Sequence, residues 1–336
     1  MSIDQLESIA QAMVAAGKGI IAIDESNATI KKRFDGVGVE NSEEHRRAYR
    51  EMLLTTPRLG EHISGAILYD ETLRQSTKAG VPFTKVMLDN GILPGIKVDK
   101  GPQPLAGFPG ELVTEGLDGL RERLKEYAAL GAKFAKWRAV ITIGEDMPSS
   151  TCIDANCHAL ARYAALCQEA GIVPMVEPEV LMDGSHDIEV CYDVTEVTLR
   201  SLFASLYEHN VMLEGTILKA SMVIAGKDCP EQAAVEEVAE ATVRCLKASV
   251  PASLPGIVFL SGGQSDEQAT AHLNAINQMG PHPWPLSFSY GRAMQSAALK
   301  LWAKDMKANF AEAQKTVAAR ARDNGLAALG QWKKSA

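Results

Sequence analysis

Lys219 ends an apolar, strand-like run, Glu214-Gly-Thr-Ile-Leu-Lys219, where lysine is unusual. An ammonium group is costly to bury, and a low dielectric favours the neutral amine, which can attack a carbonyl carbon. A second amine, Lys136, and two acids, Glu177 and Glu179, lie in similar runs. Amines and carboxylates on separate strands predict Schiff-base chemistry, whereas one such charge alone would predict a solvated strand end.

Ionisable residues also stand two positions apart at three predicted strand ends. The pairs are Lys97/Asp99, Lys136/Arg138 and Glu177/Glu179. Side chains at i and i+2 point to the same face of a strand. In a barrel the helix layer has no room for paired charges, so we expect them in the interior, near the C-terminal mouth that carries active sites. One pair alone fits a structural salt bridge equally well, but three pairs with Asp24 and Lys219 favour a catalytic site.

Two glycine-containing turns predict a phosphate site. Ser261-Gly262-Gly263-Gln264 follows the seventh predicted strand, and Tyr290-Gly291-Arg292 ends the eighth. Glycine lets backbone N–H groups approach an anion, and the loops after strands seven and eight of a barrel often bind phosphate. Arg292 adds a guanidinium fork. Lys31-Lys32-Arg33 and Lys97 could bind a second phosphate, although Lys31 and Lys32 fit a solvated helix face better.

Eight short apolar runs alternate with segments of helical periodicity. We predict strands at residues 19–24, 64–69, 94–99, 133–140, 173–180, 213–219, 256–263 and 286–292. We predict helices from about residue 41 to 56 and at residues 150–170, 194–208, 230–249, 266–279 and 291–309. This repeated strand-then-helix order predicts an α/β fold, a single (β/α)8 (TIM) barrel domain over residues 1–336 with additional terminal helices.

The competing fold is an open, doubly wound sheet. Its first strand would normally lead into a GxGxxG turn, but here Asp24-Glu25-Ser26-Asn27 follows. Among local features, we predict a helix N-cap at Asn41 with Glu44 as its reciprocal partner and Pro230 in a first helical turn. Residues 78–104, rich in Gly and Pro, are expected to form an exposed excursion around the third strand.

The composition limits the possible partners. The chain has 336 residues, 46% of them hydrophobic, and a formal net charge of −8, which disfavours nucleic acid and anionic membranes as general ligands. We find no bilayer-spanning run and no signal-peptide core at the N-terminus. Six cysteines without a CxxC pair and seven histidines without HExxH predict a reducing, cytoplasmic compartment and no metal site.

Long motifs extend over nearly the whole chain. They are GKGIIAIDES (17–26), GIKVDKG (95–101), PLAGF (104–108), GLDGL (116–120), FAKWR (134–138), ARYA (161–164), GIVPMVEPE (171–179), EGTILK (214–219), FLSGGQS (259–265), LNAIN (273–277) and FSYGRAMQ (288–295). In this order the chain resembles the class I fructose-1,6-bisphosphate aldolases, the metal-independent, Schiff-base type. Neither chance nor a shared fold alone would produce motifs of this length in this order.

The resemblance implies a role for each candidate residue. Lys219 corresponds to the lysine that forms an imine with the substrate's C2 ketone, and Glu177 to the acid/base that removes water from the carbinolamine. Asp24 corresponds to the acceptor of the C4 hydroxyl proton, and Lys136 to the amine beside the nucleophile. The other implied residues are Glu179 and Arg138 in support, Ser261, Gly262, Gly291 and Arg292 for the C1 phosphate, and Ser26, Thr29, Arg33 and Lys97 for the other phosphate.

The chain departs from the family pattern at three places. Ala220-Ser221 follows the nucleophile where Pro-Asn is expected, and Thr29 replaces a serine. The chain ends Gly330-Gln-Trp-Lys-Lys-Ser-Ala336, without the terminal tyrosine that animal and plant members use for proton exchange. Either another residue performs this proton exchange or the step is slower, and if no tail residue replaces the tyrosine, removal of residues 331–336 should matter little.

The leading hypothesis is reversible cleavage of fructose 1,6-bisphosphate to dihydroxyacetone phosphate and glyceraldehyde 3-phosphate, in glycolysis and gluconeogenesis, with no cofactor beyond the imine. The same chemistry on sedoheptulose 1,7-bisphosphate or fructose 1-phosphate stays open. A non-catalytic scaffold is disfavoured because Asp24, Lys136, Glu177 and Lys219 are all present. The resemblance also implies a homotetramer whose partners are small sugar phosphates.

Overall fold

A computed structural model describes residues 3–334. The eight predicted strands close into a barrel. The strands are β1 (Gly19–Ile23), β2 (Ile63–Leu68), β3 (Leu93–Lys97), β4 (Gly101–Pro104), β5 (Leu112–Glu115), β6 (Phe134–Ile141), β7 (Val173–Val180), β8 (Ile217–Ala220), β9 (Ile257–Phe259) and β10 (Leu286–Tyr290). Strands β4 and β5 pair as an antiparallel hairpin. The other eight pair in parallel in the order β1-β2-β3-β6-β7-β8-β9-β10, which closes on β1.

Twelve α-helices occur within residues 3–334. They are α1 (Ile3–Met13), α2 (Asn27–Asp35), α3 (Glu43–Leu54), α4 (Asp70–Arg74), α5 (Phe83–Asp89), α6 (Leu120–Ala129), α7 (Ser150–Glu169), α8 (Ile188–Glu208), α9 (Val235–Ser249), α10 (Asp266–Gln278), α11 (Arg292–Lys304) and α12 (Phe310–Ala327). The predicted (β/α)8 barrel is therefore confirmed, with α1 and α12 as its additional terminal helices. The termini of the predicted domain, residues 1, 2, 335 and 336, lie outside the described residues, as does part of the segment 331–336.

The N-terminal half of the barrel interior is apolar. Side chains of six strands form one buried cluster with α1: Ile20, Ile67, Phe134, Met175, Ile217 and Val258 from the strands, with Leu6, Ala10 and Met13 from the helix. The ring of Phe134 fills the space beside β3, because a Cβ built on Gly95 would lie 2.2 Å from it. Helix α1 therefore covers the N-terminal end of the barrel, and the interior is packed rather than hollow there.

Successive side chains of each barrel strand point alternately into the barrel interior and outward toward the helices. In β6, Trp137 is fully buried on the outer face, and its ring lies 5.5 Å from that of Tyr163 on α7. Its neighbours Lys136 and Arg138 face the barrel mouth, where both line a cavity. The two-residue period of the strand thus places Trp137 between strand and helix, and Lys136 and Arg138 inside the barrel.

Several local predictions were wrong. The N-cap of α3 is Ser42, whose hydroxyl accepts a hydrogen bond from the His45 N–H (3.2 Å), so the cap predicted at Asn41 is displaced by one residue. Pro230 lies in the loop before α9, which begins only at Val235. The excursion expected at residues 78–104 is found in part, because α5 and β4 flank the barrel strand β3 there and three of the four residues of β4 are exposed. Residues 213–215 form a 3-10 turn before β8.

Candidate active site

One cavity of about 220 Å³ lies at the C-terminal ends of the barrel strands, and it is lined by every residue to which the family resemblance assigns a role. The candidates that line it are Asp24, Ser26, Thr29, Arg33, Lys97, Lys136, Arg138, Glu177, Glu179, Lys219, Ser261, Gly262, Gly291 and Arg292. They come from β1, β3, β6, β7, β8, β9 and β10 or from the loops and helices that follow these strands. Closure of the barrel therefore brings together residues more than 250 positions apart in the chain.

The centre of the cavity is a chain of alternating charges. The Lys136 ammonium lies 2.7 Å from the Asp24 carboxylate and 3.3 Å from Oε2 of Glu177. Oε1 of Glu177 lies 3.0 Å from the Lys219 ammonium. All four side chains are at most 13% exposed. Two amines and two carboxylates thus balance each other's charge where water is largely excluded, so each pair interacts more strongly than it would at the surface.

This arrangement sets the ionisation of the cluster. Burial would raise the pKa of the Asp24 carboxyl, but the Lys136 and Lys219 ammonium groups hold that pKa well below its usual range. The pKa of Glu177 is lowered by the same cations against the effect of burial. Burial would lower the pKa of Lys136, but Asp24 and Glu177 hold it above its usual range. At neutral pH both carboxyl groups are therefore ionised and Lys136 is a cation.

A second set of ion pairs surrounds the cluster. Arg138 donates through Nε to Glu179, and Lys97 lies 2.5 Å from Oδ1 of Asp99. The other oxygen of Asp99 accepts the backbone N–H of Arg138 (3.2 Å), so Asp99 joins β3 to β6. Of the predicted pair Lys97/Asp99, only Lys97 lines the cavity. Asp99 is buried beside it and holds the Lys97 side chain in place.

The mouth of the cavity is basic. We call this region, formed by the loop after β9, Arg292 and the first turn of α2, the basic corner. After β9 the backbone turns at Gly262 (φ +55°) and Gly263 (φ +94°), conformations that favour glycine. A Cβ at Gly263 would lie 3.4 Å from Nη2 of Arg292. Among residues 3–334, Arg292 has no acidic side chain within ion-pairing distance. Loop amides beside an uncompensated guanidinium form a suitable environment for a phosphate.

The first turn of α2 borders the same corner. Ser26 caps the helix by accepting the Thr29 N–H (3.4 Å), and the two hydroxyls lie 3.1 Å apart. Arg33 on this helix approaches Gly291, and burial, with the nearby charges of Arg50 and Arg292, lowers its pKa to about 10. Arg33 and Arg292, assigned to different phosphates from the sequence, are thus neighbours. Lys31 instead pairs with Asp35 at 2.7 Å on the exposed face of α2, as the solvated interpretation predicts.

Four lining residues were not predicted from the sequence: Ala22, Glu25, Leu260 and Ser289. The Ser289 hydroxyl is buried and has no hydrogen-bond partner among the described residues. Strand alternation could have identified Ser289, because it lies on β10 two positions before Gly291, which directly follows that strand. No local pattern indicates Glu25, whose partners are distant in the chain.

The residues after Lys219, Ala220 and Ser221, which differ from the family pattern, fit into the strand end through a local hydrogen bond. Ser221, where asparagine is expected, donates its hydroxyl to the Val180 carbonyl (3.0 Å) and so ties the end of β8 to β7.

Within residues 3–334, no group of three or more His, Cys, Asp and Glu side chains is arranged to hold a metal ion. No helix in the same residues is long and apolar enough to cross a membrane.

Comparisons with known proteins identify the family of the chain. The family model for fructose-bisphosphate aldolase class-I matches residues 5–336. A probable fructose-bisphosphate aldolase class 1 of Xanthomonas campestris is 76% identical, covering 99% of this chain and 100% of its own length. Fructose-bisphosphate aldolase 4, cytosolic, of Arabidopsis thaliana is 54% identical over 94% of this chain and 81% of its own.

A solved structure extends the likeness to three dimensions. The fructose-bisphosphate aldolase of Plasmodium falciparum, in complex with TRAP and a small-molecule inhibitor, superposes with a TM-score of 0.97 at 49% identity. The match covers 99% of this chain and 96% of that one. The chain therefore belongs to the class I fructose-bisphosphate aldolase family.

Proposed function

We propose that this aldolase cleaves fructose 1,6-bisphosphate through an imine on Lys219, with the roles of the other residues set by the charge chain in the cavity. The observation that carries the proposal is the 3.0 Å contact between Lys219 and Glu177, buried in a barrel covered at its other end by α1. An amine attacks a ketone only when neutral. Glu177 is the base within reach that can take the Lys219 proton.

Glu177 then returns protons as the imine forms. Its Oε2 has no hydrogen-bond partner among the described residues and is contacted by the Lys136 ammonium at 3.3 Å, so this oxygen can receive or deliver a proton. The addition of Lys219 to the C2 ketone gives a carbinolamine, and protonation of its hydroxyl releases water and leaves an iminium ion. One carboxylate thus serves as base in addition and as acid in dehydration.

Asp24 is the base for carbon–carbon cleavage. It takes the C4 hydroxyl proton, the C3–C4 electron pair moves toward the iminium ion, and glyceraldehyde 3-phosphate leaves. Lys136, 2.7 Å from Asp24, keeps this carboxyl ionised and oriented. Arg138 and Glu179 hold each other at the edge of the cluster.

The basic corner binds the phosphates. Ser261, Gly262, Gly291 and Arg292 take the C1 phosphate, and Ser26, Thr29, Arg33 and Lys97 take the C6 phosphate. Serine and threonine hydroxyls, loop amides and guanidinium groups all donate to phosphate oxygens. Binding both ends of an open-chain ketose holds C2 over Lys219, a gain in orientation that can account for much of the rate.

The iminium ion supplies the electron sink, so the reaction needs no metal or other cofactor. Activity should survive prolonged treatment with EDTA. Inactivation by EDTA, reversed by a divalent cation, would overturn this part of the proposal.

The physiological form is proposed to be a homotetramer of single-domain chains, residues 1–336, in the cytoplasm. The cytosolic relative in Arabidopsis supports the location, and family membership supports the assembly. Light scattering on a sizing column should give four times the 36.1 kDa chain mass. A monomeric mass at micromolar concentration would contradict it.

Borohydride trapping with dihydroxyacetone phosphate, followed by peptide mapping, tests the central step. A stable adduct on Lys219 is the expected result, and an adduct on another lysine would keep the reaction class but overturn the site. Comparing kcat/KM for fructose 1,6-bisphosphate, sedoheptulose 1,7-bisphosphate and fructose 1-phosphate then ranks the substrates. A higher value for either alternative would replace the leading substrate.

A further inference from the structure

A buried arginine lies directly behind the basic corner. Arg50 on α3 has a side chain only 2% exposed, and its Nη2 donates to Oε2 of Glu25 at 2.6 Å. Its Nη1 is buried and has no hydrogen-bond partner among residues 3–334. A buried ion pair with an unsatisfied donor contributes little net stability, because desolvation offsets the attraction. Stability alone therefore does not account for a cation at this position.

The partner of Arg50 is shared. Oε1 of Glu25 accepts hydrogen bonds from Arg33 and from Nε2 of Gln295 at 2.7 Å. Glu25 thus has three donors, and it lies in the chain between Asp24, in the charge chain, and Ser26, the cap of α2. Its side chain fixes the loop that carries both.

The same network is anchored in the core. Gln295 on α11 also donates to the Ala22 carbonyl (2.9 Å) and accepts the Tyr49 hydroxyl (2.8 Å). The Tyr49 ring packs 5.4 Å from that of Trp302 and is fully buried. Arg50, Glu25 and Gln295 therefore have little freedom to rearrange when a ligand binds.

The sharing has an electrostatic consequence. If Glu25 paired with Arg33 alone, their charges would cancel, and Arg33 would offer little attraction to a phosphate. With Arg50 present, two guanidinium groups share one carboxylate, and the trio keeps one positive charge. Arg33 is 24% exposed and faces the cavity, so it is the member of the trio that a ligand can reach.

We propose that Arg50 is a positioning residue for phosphate binding: by sharing Glu25, it leaves Arg33 oriented and positively charged toward the C6 phosphate. The inference rests on the proposed function, which assigns Arg33 to that phosphate. Arg50 itself does not line the cavity and acts only through Glu25. Its effect should therefore appear in substrate affinity, and only for substrates that carry the C6 phosphate.

Arg50→Met tests this, because methionine fills the space without charge. KM for fructose 1,6-bisphosphate should rise about tenfold, the effect of losing one charge-assisted contact. KM for fructose 1-phosphate, which lacks the C6 phosphate, and both kcat values should stay within about twofold. Arg50→Lys, which keeps the charge, should restore most of the affinity. Arg47→Met on the same helix, where Arg47 pairs with Glu51, is the matched control and should change neither KM.

A double variant separates positioning from general damage. In Glu25→Gln/Arg50→Met the carboxylate that would neutralise Arg33 is also gone, so KM for fructose 1,6-bisphosphate should lie below that of Arg50→Met alone, a non-additive result. Additive losses in the double variant, or equal rises in KM for both substrates, would overturn the proposal. If Arg50→Met does not fold, Arg50→Gln takes its place.

The proposed function is checked separately in the same samples. Borohydride trapping of dihydroxyacetone phosphate on wild-type Lys219 tests the imine alone. Trapping in the Arg50 variants shows that their catalytic cluster is intact. A wild type without an adduct would overturn the mechanism, whereas a normal adduct with unchanged KM in Arg50→Met would overturn only the role of Arg50.

Discussion

The two ends of the barrel interior are built by the same strands but differ in nearly every property. On β7, Met175 and Glu177 both face the interior, two residues or roughly 7 Å apart. Met175 belongs to the apolar cluster with α1, whereas Glu177 contacts two ammonium groups. Two successive inward-facing positions of one strand therefore have different roles, because Met175 packs the interior and Glu177 contacts the charged groups of the site. Side chains at the N-terminal end should determine stability, and those at the C-terminal end activity.

Lys219→Ala gives the largest expected effect. Without the amine no imine forms, so kcat should fall by roughly 10⁴-fold or more, while circular dichroism and urea unfolding show a folded protein. Lys85→Ala, which removes an exposed lysine paired with Asp89, should retain full activity. Near-normal turnover in Lys219→Ala would place the nucleophile elsewhere.

Lys136→Met tests whether charges at the C-terminal end must balance. Removing one partner of a buried ion pair costs about 3–5 kcal/mol, because Asp24 loses its ion pair and Glu177 keeps only the one with Lys219. The pKa of each carboxyl is lowered in the folded protein, so this stabilisation is complete above the ordinary carboxyl pKa and is lost as the pH falls below it.

The difference between wild type and Lys136→Met in the free energy of unfolding should therefore shrink between pH 7 and pH 3, as measured with urea. Lys125→Met, which removes an exposed ion pair with Glu122, should cost less than about 1 kcal/mol at either pH. An equal loss for Lys136→Met at both pH values would show that the cost is one of packing rather than charge.

Met175→Ala tests the other end. Truncating a buried methionine should lower the free energy of unfolding by about 2–5 kcal/mol, because the packed interior cannot collapse around the space left. At a temperature where the variant stays folded, kcat should remain within about twofold of wild type, since no reacting group moves. A large fall in kcat without loss of stability would mean that the two ends are not separate.

Arg292→Ala has the smallest expected effect. It removes a phosphate contact rather than a reacting group, so KM should rise about 10- to 100-fold with kcat nearly unchanged. Steady-state kinetics measures both. Arg244→Ala, which removes an exposed surface arginine near Glu189, is the control. A fall in kcat at unchanged KM would assign Arg292 to the transition state instead.

Local pattern was enough to predict the eight barrel strands, though not the hairpin strands β4 and β5, because a barrel strand is a short apolar run whose side chains alternate between two faces. It was also enough to place Lys136 with Arg138, and Glu177 with Glu179, on common faces. It failed at helix starts. The cap at Ser42 and the start of α9 at Val235 depend on which of several similar polar residues reaches a free N–H group, and neighbouring residues can compete for that place.

The sequence by itself thus determined the fold class, the inward direction of the catalytic candidates and, through its long motifs, the family. Only the tertiary structure decided which charges touch, because Asp24 meets Lys136 only after β1 closes against β10 and the strands take their register. It alone revealed Glu25 with Arg50 and Gln295, partners 25 and 270 positions away. Periodicity determines the face on which a residue lies, whereas contacts between distant residues depend on closure of the whole barrel.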